Sequence, residues 1–216
     1  MRISLLLIWL LIAGQGLAQQ HSDLTIVYDI SISKTKRSTG LEETYNGGTR
    51  TVFIAGNKAR IRMVSLMRME SIFFEYDSTL KQAAVIKESG AKKYRFNLSA
   101  PQWERFNKKY EDADCSFEND SILIAGYWCK KAVIHLTSGD KIVAYYTSSI
   151  KPANGFTEPS FTCVPGMVLQ YELTSRRGMV VFKASQVNRE VIAKEIFVIP
   201  SAGIQLRKYT AEDNSD

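Results

Sequence analysis

The chain contains few of the residues on which catalysis depends. Its 216 residues include only two histidines, His21 and His135, and three cysteines. A nucleophile needs a nearby base, and a metal ion needs several ligands at short spacings, but no group of histidine, cysteine and carboxylate residues has such a spacing here. Glycine-rich phosphate-binding motifs are also missing. We therefore predict a protein that is not an enzyme, with no catalytic residue, metal site or cofactor.

Long apolar runs are missing after the first residues. Residues 3–12 are apolar apart from Ser4, and they lie between the basic start Met1-Arg2 and the small residues Gly16-Leu17-Ala18. This pattern is typical of a secretory signal peptide over residues 1–18, with an apolar part too short to span a membrane. We therefore expect export to the periplasm, with the extracellular space or the cell surface as alternatives. Residues 19–216 are expected to form a single domain with an acidic, frayed tail at 210–216.

The chain also lacks a block of positive charge, although its formal net charge is +6. Its basic residues come as scattered pairs, a pattern typical of solvated strand faces. Because no basic stripe is present and export is expected, we predict no nucleic-acid partner. Peripheral contact with an anionic cell envelope remains an alternative. The pairs are Lys92-Lys93, Lys108-Lys109, Lys130-Lys131 and Arg176-Arg177.

Cysteine is so scarce that at most one intramolecular disulfide can form. The three cysteines are Cys115, Cys129 and Cys163, which allow three pairings. We favour Cys129–Cys163, because a simple meander of strands would place both near the same end of a sheet and Cys163 falls in a loop. Three buried thiols without a disulfide are the alternative.

The chain is rich in β-strand patterning. Apolar and polar residues alternate over Leu24–Ser33, and two runs rich in valine, isoleucine and aromatics flank a turn at Gly139. Turn residues separate further runs about every 8–12 residues, a spacing typical of an antiparallel sheet. The predicted strands after Leu24–Ser33 are 51–54, 59–63, 71–76, 80–87, 94–98, 127–136, 141–146, 168–173, 179–184 and 195–199.

One segment departs from the strand pattern. Ser99, Pro101 and Gln102 have the spacing of a helix start with a capping box. Aromatic residues then follow at helical spacing and form one stripe. The sequence therefore predicts a short amphipathic helix over 101–110, laid on the sheet by that stripe. The stripe consists of Trp103, Phe106 and Tyr110, and the polar segments 111–120 and 151–165 are predicted to be loops.

Four motifs resemble those of a family of exported bacterial proteins. They are IAGYWCKKA at 124–132, YYTSSI at 145–150, CVPGMVLQYEL at 163–173 and FVIPSAG at 197–203. In this order they resemble the GLPGLI family and its relatives of unknown function, which look related to the LolA/LolB-like lipoprotein carriers. The namesake motif keeps Pro165-Gly166. The resemblance implies a mainly β fold, a single curved antiparallel sheet (an open LolA-like half-barrel) with a short amphipathic helix on its concave face.

Several strands are apolar on both faces, for example at Val133-Ile134, so the second face needs a cover or a guest. Our first hypothesis is a non-enzymatic binding protein that holds a hydrophobic ligand, an acyl chain or lipid, in the concavity of the sheet. The alternative is a structural or interaction protein with a filled core, which docks a cell-envelope partner through strand edges or the 151–165 loop. The cavity residues predicted for the first hypothesis are Met63, Phe74, Trp103, Phe106 and Tyr146.

Overall fold

The structure is a computed structural model that describes residues 23–33, 45, 47–66, 68–77, 79–152, 156–175 and 178–210. The predicted signal peptide, His21 and residues 211–216 of the predicted tail lie outside the described residues. None of the helices in these ranges has the length and apolarity that crossing a membrane requires.

Twelve strands form one open sheet in the described part of the chain, in the order β12-β6-β5-β4-β3-β2-β1-β11-β10-β9-β8-β7. Each predicted strand up to residue 184 coincides with an observed strand. The strands are β1 Leu24–Ser33, β2 Thr49–Ala55, β3 Lys58–Val64, β4 Met69–Asp77, β5 Thr79–Ser89, β6 Lys92–Leu98, β7 Asp114–Ile124, β8 Tyr127–His135, β9 Lys141–Thr147, β10 Met167–Ser175, β11 Gly178–Asn188 and β12 Gln205–Leu206.

The sheet consists of two antiparallel meanders, β1–β6 and β7–β11, joined where β1 pairs with β11. The chain therefore has to pass from the β6 edge to the β7 edge at the opposite side of the sheet. Residues between these strands include a short α-helix, α1 (Ala100–Phe106), and a 3₁₀ helix (Lys108–Tyr110). The topology thus places this helical segment across one face. Among the strands of the described residues, only the two-residue β12 is parallel to its neighbour, β6.

The sheet is strongly curved around that face. The Tyr28 hydroxyl on β1 donates a hydrogen bond of 2.7 Å to the Val168 carbonyl on β10, although β11 lies between these strands. Cα atoms of β7 and β11 come within 8 Å of each other, although three strands separate them. Inward-pointing side chains of nearly every strand consequently join one core cluster. The predicted mainly β, half-barrel architecture with one short helix is confirmed.

Helix α1 begins where its sequence predicts. The Gln102 side-chain carbonyl accepts hydrogen bonds from the Ser99 backbone N–H at 2.9 Å and from the Ser99 hydroxyl at 3.0 Å, and Pro101 occupies the first turn. Trp103 is buried on the inner face, so the predicted aromatic stripe does pack on the sheet. The helix ends at Phe106, and a 3₁₀ turn continues to Tyr110.

Two predictions of local structure are wrong. Most of segment 111–120 belongs to β7, an edge strand whose side chains are mostly exposed. Edge strands carry many charged residues because these discourage pairing with other chains, and the same polarity suggested a loop. Segment 195–199 is not a strand: a 3₁₀ helix spans Lys194–Phe197. This segment lies against the outer face of β3 and pairs with no strand.

The predicted disulfide is also wrong. Cys163 bonds to Cys115 on β7, with Cα atoms 5.8 Å apart, and Cys129 is a free, fully buried thiol. Because segment 111–120 was predicted to be a loop, Cys115 had no assigned position in the sheet. In the structure, β7 pairs Cys115 with Ile134, whose side chain is buried on the inner face, so Cys115 faces the loop that carries Cys163.

The outer face has a second, smaller core. Phe73 is buried there, although its chain neighbour Phe74 is buried on the inner face. The Arg60 guanidinium lies 4.6 Å from the Phe73 ring centroid and donates a 3.0 Å hydrogen bond to the Ile196 carbonyl. Residues 194–200 therefore form a strap that covers β3 and β4. Burial, and then the neighbouring Arg62 charge, lowers the pKa of Arg60.

Candidate functional site

Aromatic side chains from three segments outside the sheet converge on the inner face. Trp103 of α1 lies 5.4 Å from Phe74 of β4, and Phe156 stacks on the other side of the cluster, 5.2 Å from Phe74. Phe106 stacks 5.9 Å from Trp103, and its ring lies 6.2 Å from Tyr209 near the end of the described chain. All distances are between ring centroids. We call these five residues the aromatic cluster. Three of the five predicted cavity residues, Phe74, Trp103 and Phe106, are brought together here.

The other two predicted cavity residues lie elsewhere on the sheet. Met63 is half-buried on β3 and packs against the core, beside Arg50 in the register of β2 and β3. Tyr146 of β9 is buried in the second meander, where its ring lies 6.0 Å from that of Phe117. Tyr146 has no ring contact with the aromatic cluster in the described part of the structure. The five residues therefore line one curved face but do not form one cavity.

A pocket of about 170 Å³ lies between the strap and the outer face of β3, β4 and β5. Phe73 lines it from β4, and Ala59 and Phe74, whose side chains point to the inner face, also border it. The strap contributes two apolar side chains, and three polar or charged residues in one register row of β3, β4 and β5 complete the lining. The lining residues are Lys58, Ala59, Phe73, Phe74, Glu75, Gln82, Phe197 and Ile199. The pocket therefore lies on the opposite face of the sheet from the aromatic cluster.

A buried ion pair lies further along the inner face. Arg50 of β2 donates through Nη2 to the Glu158 carboxylate, and each residue is only 7% exposed. The guanidinium carbon lies 5.3 Å from the ring centroid of Tyr28 and 5.6 Å from that of Tyr171. Arg50 Nη1 is buried and has no hydrogen-bond partner among the described residues. The ion pair therefore uses one of the two terminal guanidinium nitrogens as a hydrogen-bond donor.

Burial and charge act in opposite directions on these groups. Burial alone would lower the pKa of Arg50, but the Glu158 charge and the two phenols hold that pKa well above its usual value. Burial raises the pKa of Tyr28 and of Tyr171 despite the nearby Arg50 charge. Arg50 is therefore cationic and both phenols are neutral at any physiological pH.

One loop supplies both Phe156 of the aromatic cluster and Glu158 of the ion pair. Further along, Phe161 packs with its ring 5.1 Å from Tyr171, and Cys163 is tied to β7 by the disulfide. Gly166 then approaches the Thr147 carbonyl so closely that no side chain would fit. We call residues 156–164 the inner loop. Its apolar side chains are buried, so the loop does not offer them as a docking surface.

Sequence reasoning missed Arg50, Phe156, Glu158 and Tyr209. A pattern pointing to Arg50 was present, because Arg50, Val52 and Ile54 occupy every second position of β2 and therefore point to the same, inner face. An inward-pointing arginine on a strand needs a partner in the core. Nothing local marks the other three, because they lie in irregular segments without periodicity.

The second meander carries an exposed apolar pair. Leu123 of β7 and Trp128 of β8 lie opposite each other near a two-residue turn at Ala125-Gly126, and they are 57% and 71% exposed. The neighbouring pair Ile122 and Cys129 points to the other face, where Cys129 is fully buried. One face of the hairpin formed by β7 and β8 therefore packs in the core, and its other face exposes two large apolar side chains.

No three histidine, cysteine or acidic side chains lie close enough to hold a metal ion within the ranges that the structure describes. His135 approaches the hydroxyl of Ser116 at 3.1 Å on the exposed β7–β8 ladder.

No protein-family model matches the chain, and no curated protein matches it. Solved structures share its fold at low identity. PNGF-II is similar with a TM-score of 0.52 and 14% identity over 89% of this chain and 32% of that chain. This chain therefore spans about a third of the length of PNGF-II, and the likeness shows the fold alone.

Two other solved structures are more distant. An uncharacterised conserved protein from Thermus thermophilus has a TM-score of 0.48 and 8% identity, over 88% of this chain and 91% of that chain. MucB, solved in complex with MucA(peri), has a TM-score of 0.36 and 12% identity, over 85% of this chain and 56% of that chain. These two similarities add nothing to the fold assignment. The comparisons thus show a shared fold with PNGF-II and assign no role to this chain.

Proposed function

We propose that this is an exported, non-enzymatic binding protein of the cell envelope that holds an apolar chain on the inner face of its sheet. The aromatic cluster is the observation that carries the proposal. Three of its five members, Trp103, Phe106 and Phe156, come from α1 and the inner loop, which cover the sheet without joining it. Segments that cover a sheet can move while the sheet keeps its hydrogen bonds.

Binding requires that movement. The rings of Trp103 and Phe156 pack against Phe74, and all three side chains are buried, so a ligand has to displace some of them. An apolar chain on the inner face would displace Phe156 and lie between Trp103 and Phe74. Each Å² of apolar surface removed from water then contributes roughly 25 cal/mol. Binding would be driven by this burial and limited by the energy needed to move the covering side chains.

A tryptophan exchange tests the site. Trp103→Ala is expected to weaken binding of the neutral probe N-phenyl-1-naphthylamine about tenfold or more, because the aromatic contact removed is worth roughly 1.5–3 kcal/mol. Fluorescence titration gives the affinity. Trp128→Ala is the matched control, because it removes the same side chain from an exposed position and should leave the affinity unchanged. Equal affinities of the two variants for the probe would contradict the assignment of the binding site to the aromatic cluster.

Mass spectrometry gives a direct test for a natural ligand. The protein would be purified without detergent after export, and an organic extract would be examined for a stoichiometric lipid. A co-purifying lipid supports the proposal. A clean extract, together with no response of the delipidated protein to fatty acids or phospholipids, would contradict it.

The exposed Leu123 and Trp128 favour a second candidate function, the docking of a protein partner in the envelope. A photo-crosslinking amino acid at position 128 should capture one defined protein in the cells that make this chain. Position 183 is the control, because Lys183 is exposed on β11, away from the hairpin. Identical products from both positions would contradict docking by the hairpin.

A further inference from the structure

Within the proposed function, we infer that the ligand is an amphiphile with a carboxylate head group, and that Arg50 binds this head group after Glu158 withdraws. The inference rests on the proposed function and specifies its ligand. The observation behind the inference is the inner loop, which places an aromatic ring at one end of the candidate site and a carboxylate at the other.

The two ends of the site are connected by the register of the sheet. Ile54 of β2 pairs with Ala59 of β3, which pairs with Phe74 of β4, so these residues form the row beneath the aromatic cluster. Arg50 lies four residues before Ile54 on the same strand, about 13 Å along it at the rise of an extended chain. The side chains between them, Val52 and Ile61, are apolar and buried.

The inner loop occupies the space between the aromatic cluster and Arg50, where the ligand would lie. Phe156 stacks on Phe74 and Glu158, two residues later, pairs with Arg50. An apolar group and a carboxylate joined by a short chain are the parts of a fatty acid. A carboxylate amphiphile would therefore make the contacts that the loop now makes, with its tail against Phe74 and its head on Arg50.

The Arg50 guanidinium can still donate hydrogen bonds to such a head group. Glu158 uses Nη2, whereas Nη1 is buried without a partner among the described residues. Arginine binds carboxylates best through two parallel hydrogen bonds, and a buried donor without a partner is costly. A mobile carboxylate, unlike one fixed on the loop, can orient to accept from both nitrogens. Met63, beside Arg50 in the sheet, supplies an adaptable apolar wall.

The test compares Glu158→Gln with Arg50→Met/Glu158→Gln. Both lack the competing carboxylate, and they differ only at Arg50. Dodecanoate and dodecanol, below their aggregation concentrations, are the probes, and isothermal titration of the full mature chain gives the affinities. Glu158→Gln should bind dodecanoate about 10–100-fold more tightly than dodecanol, because a hydrogen bond to a charged group contributes about 1.5–3 kcal/mol. The double variant should bind both equally and retain the affinity for dodecanol.

The outcomes separate the two proposals. If no protein binds either probe, the proposed function fails, and the inference with it. If both probes bind but Glu158→Gln shows no preference for dodecanoate, the inference alone is overturned. If Glu158→Gln does not fold, wild type and the double variant are compared. A dodecanoate preference in wild type that the double variant lacks supports the inference, and equal preferences overturn it.

Discussion

Replacing Glu158 with alanine is expected to lower the free energy of unfolding by about 3–5 kcal/mol, since removing one partner of a buried ion pair leaves an uncompensated charge in the core. Arg50 is 7% exposed and surrounded by the rings of Tyr28 and Tyr171. Its high pKa means that it cannot discard its proton to avoid this cost. Urea unfolding followed by tryptophan fluorescence gives the free energy.

Two controls make this prediction specific. Glu118→Ala removes one partner of Lys131 from an exposed ion pair with a 2.9 Å contact, and should leave the free energy of unfolding nearly unchanged. Arg50→Met/Glu158→Leu removes both buried charges and should restore stability to within about 1 kcal/mol of wild type or exceed it. A loss below about 1 kcal/mol for Glu158→Ala would show that the pair is hydrated and does not hold the inner loop.

The second large effect concerns the disulfide. Cys115→Ser/Cys163→Ser is expected to lower the free energy of unfolding by about 4 kcal/mol, because Cys115–Cys163 closes a loop with a sequence separation of 48 residues. Dithiothreitol should destabilise the wild type by a similar amount. It should leave the double variant unchanged, so the variant is the control for effects of the reductant itself. Denaturant unfolding with and without reductant provides the comparison.

Thiol labelling tests the same pairing. Cys129 is fully buried, and burial raises the pKa of its thiol to about 11, so it is protonated at neutral pH and shielded from reagents. Iodoacetamide should therefore label nothing in the native protein and only Cys129 after unfolding without reductant. A proteolytic fragment pair linked through Cys129 and Cys163 would contradict the structure.

The stability of the fold is greatest when the inner loop stays on the sheet, whereas ligand binding requires part of the loop to move. The ion pair and the disulfide hold the loop on the sheet, whereas the proposed ligand needs Phe156 and Glu158 to move away. Because the disulfide fixes only the end of the loop at Cys163, the segment with Phe156 and Glu158 can move with that end in place. We expect reduction of the disulfide to alter stability more than affinity for the probes.

Much of the fold was predictable because its information is local. The alternation over Leu24–Ser33 fixes which side chains face inward, and the observed strand has the same bounds. The cap at Ser99 and the turn at Gly139 depend on residues close in sequence, and both form as expected. Period-two alternation and capping are properties of single segments, so they survive whatever packs against them.

Local patterns did not reveal how segments meet. The loop-closure energies of Cys115–Cys163 and Cys129–Cys163 differ by only about 0.3 kcal/mol, so chain entropy could not choose between these pairings. The choice follows from β7, whose polar edge position resembles a loop in sequence. The register of that strand brings Cys115 to the inner loop.

The residues of the candidate site likewise divide into those that a local pattern predicts and those that only contacts between distant segments bring into place. Phe74, Trp103 and Phe106 could be named because each lies on the apolar side of a periodic element. Glu158 could not be named, because it becomes part of the site only when the curved sheet brings its loop to Arg50, 108 residues away in the chain. Periodicity tells which side of a strand or helix is buried, whereas the partner of a buried charge depends on contacts between distant segments.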